Sequence, residues 1–217
     1  ARSRRPGVER TCSCDADGVL ARWVVSGQTS AVTDIRLAAP ADLDTLATTV
    51  VTAFDQDPAF RAFFGADPEF RPLAVAFATD LLRRRIATDS VWMTSDGDAL
   101  AMWDPPGGTV ETPAPALELP SGALARLDVY DAAVYAAITA EPHWYLGVLA
   151  SHPRRRGEGL ARLVAQAGLD AAAAAGVPAV LETTNPDNVA MYERSGWRIT
   201  TELQDVIGLT VWILRHD

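Results

Sequence analysis

The stretch from Trp144 to Leu181 constrains the fold of this chain more than any other. Trp144 to Ala150 is a nearly continuous apolar run, the composition of a strand buried on both faces. Leu160 to Ala175 follows, with Leu160, Leu163, Val164 and Ala167 on one helix face and Gly176 as its stop. Ala179 to Leu181 is a second buried strand. Between the first strand and the helix lies Arg154-Arg155-Arg156-Gly157-Glu158-Gly159-Leu160-Ala161-Arg162. A helix start offers backbone N–H groups without intrahelical partners and the positive end of the helix dipole, which together make an anion site. Glycines let the backbone approach a phosphate closely, and the arginines add charge. No Gly-Lys-Ser/Thr follows, so the turn is not a P-loop; it also lacks G-x-G-x-x-G and an acidic residue placed for a ribose. On these residues alone, a solvated basic turn ahead of an amphipathic helix is the open alternative.

The remaining pattern alternates strands and helices, which implies an α/β domain around a mixed sheet. Val32 to Leu37 alternates as a first strand, and Pro40 opens a helix with Leu43, Leu46, Val50 and Phe54 at helical spacing. Phe60, Phe63 and Phe64 mark a short helical segment, and a longer helix is predicted from about Pro68 to Ala87. Ser90 to Met93 and Leu100 to Trp103 flank Asp96-Gly97-Asp98, a hairpin signal. Pro105 to Pro120 reads as a mobile loop and Leu124 to Ile138 as a helix. Pro186 to Ser195 is a short helix, and Trp197 to Leu203 with Thr210 to Leu214 form a closing antiparallel pair.

Residues 1–30 lack this order. They hold five arginines against three acids, a net +2, so residues 31–217 carry −11 of the overall −9. They are expected to be a flexible extension preceding a single domain over 31–217. All 19 basic residues are arginine, and the acidic balance disfavours a nucleic-acid partner. No apolar run approaches the roughly 18 residues of a membrane helix, so a cytoplasmic protein without a membrane partner is expected. Cys12 and Cys14 alone cannot build a four-ligand zinc site, and His143, His152 and His216 lack ligand spacing. No metal is expected.

Three residues after the second buried strand carry chemistry. Glu182 stands at that strand's C-terminal end, where the active sites of open α/β sheets gather. Asn185-Pro186 reads as a helix cap with proline at the first position. Asn188 and Tyr192 then share a helix face. Each has a plainer reading: Glu182 as a strand-end carboxylate holding backbone or an arginine, Asn188 as a cap, Tyr192 as a core tyrosine. Phe54, Phe60, Trp92, Trp103, Trp144 and Tyr145 could line a substrate pocket or serve as core. Asp55 and Asp57 could face a cation or shape the turn before Pro58.

The array Arg156-x-x-Gly159-x-Ala161, then Glu182, Asn188, Tyr192 and Gly196-Trp197, resembles the GNAT N-acetyltransferases, and within them the puromycin N-acetyltransferases and their actinobacterial relatives. Glu141-Pro142-His143-Trp144-Tyr145-Leu146, Ala175-Gly176-Val177-Pro178 and Leu181-Glu182-Thr183-Thr184 add to the likeness, which runs from Val32 to Arg215. Ser151, where the family usually has valine, and Trp197, where phenylalanine is commoner, are departures. The resemblance implies a GNAT fold: a mixed, mostly antiparallel sheet whose two central parallel strands splay to admit pantetheine. It implies that acetyl-CoA is the cosubstrate and that the backbone of Leu149, Ala150 and Ser151 pairs with pantetheine. It further implies that Leu149 N–H polarises the thioester. Arg156, Gly157, Glu158, Gly159, Leu160, Ala161 and Arg162 would hold the pyrophosphate, with Arg154 and Arg155 auxiliary near the 3′-phosphate. Asn188 would bond pantetheine, Tyr192 would protonate the leaving thiolate, and Glu182 would deprotonate the amine directly or through water. The implied activity is N-acetylation of a small-molecule primary amine, an aminonucleoside antibiotic foremost, conferring resistance, by a monomer or homodimer. Rival expectations are a GNAT acting on a protein N-terminus, polyamine or metabolite, and a silent acyl-CoA-binding regulatory domain.

Overall fold

The structure, a computed structural model, describes residues 33–66, 68–107 and 117–217, and the backbone of two short strands before them. Those two, β1 (Cys12–Cys14) and β2 (Ala21–Trp23), pair antiparallel. Most of the expected flexible extension, and residues 108–116 of the expected mobile loop, lie outside the described residues.

Seven strands form the main sheet: β3 (Ile35–Leu37), β4 (Val91–Thr94), β5 (Ala99–Asp104), β6 (Trp144–Ser151), β7 (Ala179–Thr183), β8 (Arg198–Val206) and β9 (Leu209–His216). Their order is β3-β4-β5-β6-β7-β9-β8. Every neighbouring pair is antiparallel except β6 and β7. The helices are α1 (Leu43–Ala53), α2 (Pro58–Phe64), α3 (Phe70–Ile86), α4 (Ser121–Ala137), α5 (Leu160–Ala175) and α6 (Pro186–Glu193).

The period-2 alternation of strand side chains sorts the interior into two cores. Leu100, Met102 and Val180 join the apolar faces of α1 to α4, while Ala101, Trp103, Ala179 and Leu181 pack with Leu160 and Val164 of α5 on the other side. Strand β6 breaks the alternation. Leu146 sits in the α5 core, yet Val148 and Ala150, an even number of residues later, sit in the opposite one. The cause is a bulge: Met102 pairs with Val148 but Trp103 pairs with Leu146, so Gly147 is an extra residue on β6.

Helix α5 comes unusually close to the sheet. A Cβ on Gly168 would lie 2.1 Å from the Trp103 ring, so only glycine fits there. Trp103 is fully buried and stacks edge-on with Trp144 at 6.4 Å. Trp92, Trp103 and Trp144 therefore belong to the packing beneath α5, not to a substrate pocket. Of the six aromatics considered for that role, Phe54, Phe60 and Tyr145 do line the cleft described next.

Candidate active site

The parallel pairing of β6 with β7 runs from Trp144 opposite Ala179 to Leu146 opposite Leu181, and ends there. Each strand continues on its other side, β6 with β5 as far as Ser151 and β7 with β9 as far as Thr183. The two central strands thus part at the bulge. Because N–H and C=O groups alternate in direction along a strand, one contact fixes which groups face the gap. His152 N–H donates to Asp98 O on the β5 side at 2.7 Å. Leu149 and Ser151 therefore present their N–H and C=O groups to the gap, while Ala150 directs its own to β5. The expected three-residue pairing edge reduces to alternate residues.

The gap opens on a cleft of about 480 Å³ lined by α2, α3, α4, β6, β7 and α6. Leu149, Glu182, Asn188 and Tyr192 all border it. Glu182, on the last turn of the pleat in β7, accepts a hydrogen bond at Oε2 from the Tyr145 hydroxyl. Burial pushes its carboxyl up to about 7; the Tyr145 bond and Arg85 oppose that rise, and Asp131 adds to it. Burial, with the Glu182 and Asp57 charges, also raises the Tyr192 phenol above its ordinary range, so it stays protonated at neutral pH. Tyr192 rests edge-on against Trp197 at 5.9 Å. Asn185 caps α6 by accepting from Asp187 N–H at 3.0 Å, which leaves the Asn188 side chain to the cleft.

The arginine turn stands at the far end of the gap. Gly157 (φ 88°) and Gly159 (φ 77°) adopt left-handed backbone that side chains disfavour. Gly159 precedes α5 with no side-chain cap, and Leu160, Ala161 and Arg162 supply the first-turn N–H groups. The arginines divide into two kinds. Arg154 pairs with Asp98, and Arg155 with Asp96 at 2.9 Å, Asp98 at 3.0 Å and Glu158 at 2.8 Å. Both are tied to the β4–β5 turn and brace it. Arg156 and Arg162 are exposed and have no ion pair among the described residues, so their charges are available to a ligand. Asp98 is only 5% exposed and joins both bracing arginines. Asp98→Ala would leave the Arg154 guanidinium unpaired and take one of three carboxylates from Arg155, and the KM for acetyl-CoA is expected to rise about tenfold, a loss near 1.4 kcal/mol; steady-state kinetics with acetyl-CoA varied would read it.

Asp57 caps α2, accepting from Ala59 N–H at 3.0 Å and Phe60 N–H at 3.1 Å, and also borders the cleft. Asp55 pairs instead with Arg61 at 3.2 Å. Sequence reasoning did not single out Arg85, Asp104, Asp128, Tyr130 or Asp131, all on the cleft wall. Isolated charges and phenols give no sequence signal until the topology turns them to one side. Among the described residues no cluster of His, Cys, Asp and Glu is placed to hold a metal, and no helix is long and apolar enough to cross a membrane.

Residues 84–197 match the acetyltransferase (GNAT) family, and the chain belongs to it. It is an acetyltransferase, of a family whose acyl donor is acetyl-CoA. Solved structures share the fold. A histone acetyltransferase HPA2 and related acetyltransferase of Corynebacterium glutamicum gives a TM-score of 0.60 at 19% identity, over 83% of this chain and 93% of the other. The Drosophila melanogaster polyamine N-acetyltransferase that forms N-acetylagmatine gives 0.62 at 13%, over 83% and 97%. An agmatine N-acetyltransferase gives 0.64 at 14%, again over 83% and 97%. At such identities the likeness is one of fold.

Proposed function

We propose that this enzyme acetylates the primary amine of a small molecule by direct attack on acetyl-CoA. The observation that carries the reading is the parting of β6 and β7 at Gly147, which brings Leu149, Glu182, Asn188 and Tyr192 to one cleft. The first-turn N–H groups of α5 and Arg156 hold the pyrophosphate, and the gap-facing groups of Leu149 and Ser151, with Asn188, align pantetheine. Glu182 accepts the proton of the acceptor ammonium, directly or through water. The free amine attacks the thioester carbonyl, and the Leu149 N–H stabilises the oxyanion that forms. As the intermediate collapses the C–S bond breaks, Tyr192 donates its proton to the departing sulfur, and the second proton of the attacking nitrogen passes through solvent to restore the phenol. The products are an amide and CoA.

For the acceptor, the resemblance of the Glu141–Trp197 segment favours an aminonucleoside such as puromycin, whose acetylation would detoxify it. A second reading draws on the cleft wall. It holds the carboxylates Asp57, Asp104, Asp128, Asp131 and Glu182 against Arg84 and Arg85, an excess that favours acceptors bearing several positive charges, such as polyamines or agmatine. Thiol release from acetyl-CoA with puromycin, agmatine, a polyamine and a neutral aromatic amine series separates the two. No turnover with any amine, despite CoA binding, would overturn the amine reading altogether. Tyr192→Phe is expected to lower kcat about tenfold, at or below the small end for general acids because a thiolate is already a fair leaving group. Its KM for acetyl-CoA should hold.

A further inference from the structure

We propose that Tyr145 is the positioning residue of the acceptor-activating carboxylate, its hydroxyl fixing Glu182 through Oε2 and leaving the other oxygen for the amine. The inference rests on Glu182 acting as the base. Its geometry begins in the sheet. Tyr145 pairs with Val180 across the parallel β6–β7 ladder. Val180 and Glu182, two apart on β7, point to the same face. The phenol must therefore run along the strand by one pleat repeat to meet the carboxylate, and the Tyr145 hydroxyl does donate to Glu182 Oε2.

The next residue but one, Gly147, makes this path open. A Cβ there would stand 3.4 Å from the Tyr145 ring and 3.2 Å from the Arg85 guanidinium. The same glycine that forms the bulge thus gives room for the phenol on one side and Arg85 on the other. Arg85 is held in place by Asp104 at 2.6 Å. The carboxylate is consequently gripped from β6 and by its own backbone N–H, and no second side chain bonds it among the described residues.

The groups around Glu182 set the sign of the test. From α3, Arg85 favours its anion; from α4, Asp131 opposes it. Asp104 of β5 is already paired with Arg85. The phenols Tyr130 and Tyr135 of α4 and Tyr192 of α6 feel the Glu182 charge in turn, and Tyr130 and Tyr192 also feel that of Asp57 on α2. Asp128 of α4 and Arg84 of α3 border the same cleft, Arg84 being paired with Asp80. Burial and the Glu182 charge keep Tyr145 protonated, so it can only donate to the anion. A donor to the charged form favours ionisation, and its removal must raise the pH at which Glu182 becomes a base.

The experiment is the pH profile of kcat/KM for Tyr145→Phe against the wild type, with one acceptor amine. The amine's own titration is common to both and cancels in the comparison. The acid limb is expected to move up by about one pH unit, with activity down roughly tenfold at pH 6.5 and largely recovered at pH 9. Thermal stability and the KM for acetyl-CoA should change little. An unmoved limb with an intact fold would overturn the proposal, as would a uniform loss at all pH values. Glu182→Gln in parallel separates the two layers. If that variant keeps its activity, the base assignment fails; if it is inactive and the Tyr145→Phe limb stays put, only the positioning role fails. Should Tyr145→Phe not fold, Gly147→Ala, which crowds the phenol without removing it, is expected to shift the limb in the same direction, and an unmoved limb there overturns the proposal too.

Discussion

Gly168→Ala is expected to destabilise the enzyme by at least about 2 kcal/mol, with a fall in Tm of roughly 4–8 °C or more. The added methyl would stand 2.1 Å from Cε2 and 2.3 Å from Nε1 of Trp103, distances no packed pair of atoms sustains. The ring has nowhere to go. It is fully buried and flanked by Trp144. Helix α5 must lift from the sheet instead, against a helix-propensity gain of only about 1 kcal/mol for exchanging glycine with alanine. Because the same helix begins at the turn proposed to hold the pyrophosphate, the KM for acetyl-CoA should rise with the loss of stability. Thermal unfolding of the variant tests the claim, and an unchanged Tm would refute it. Adding Trp103→Phe should recover part of the loss, giving a coupling energy that two independent sites would not show.

The second large effect concerns chemistry. Glu182→Gln is expected to reduce kcat/KM about 10³-fold, within the range for removal of a general base, while the affinity for CoA changes little. Glutamine keeps the shape and can still accept from Tyr145 but takes no proton. With the wild-type carboxyl pushed up to about 7 by burial, only its ionised form serves as a base, so kcat/KM should rise with pH through neutrality. That ascent should vanish in the glutamine variant. A variant retaining more than a tenth of wild-type activity would transfer the base role to a water or to the substrate's own equilibrium.

Much of the scaffold is legible in the chain because its signals are local. The helix Leu160–Ala175 has apolar spacing and a terminal glycine, and the structure gives those bounds. Asn185-Pro186 announces α6 with equal clarity, since cap and first-turn proline are neighbours in sequence. Helix α4 starts at Ser121, three residues before the expected Leu124, because Pro120 precedes it with no side-chain cap to mark the start. At the proposed site, the motif points to Glu182, Asn188 and Tyr192, which border one cleft, but not to what surrounds them. Tyr145 and Glu182 are 37 residues apart, Arg154 and Asp98 are 56 apart. Only the sheet order brings such pairs together, so periodicity carries no trace of them. The bulge at Gly147 is equally silent, since a glycine in an apolar run has several uses.

That bulge has a further consequence for how the protein lives among other proteins. Unpaired strand edges are templates for intermolecular sheet growth, and folds usually blunt them at the rim. Here a short unpaired edge, Leu149 to Ser151, lies at the centre of a seven-stranded sheet, between neighbours that remain hydrogen-bonded on their far sides. A polypeptide strand needs about 4.7–4.9 Å of sheet on each side and brings side chains above and below. A linear amide-bearing chain needs the same spacing but carries less bulk above and below. The parted strands are thus expected to admit a slender ligand arm more readily than a second polypeptide.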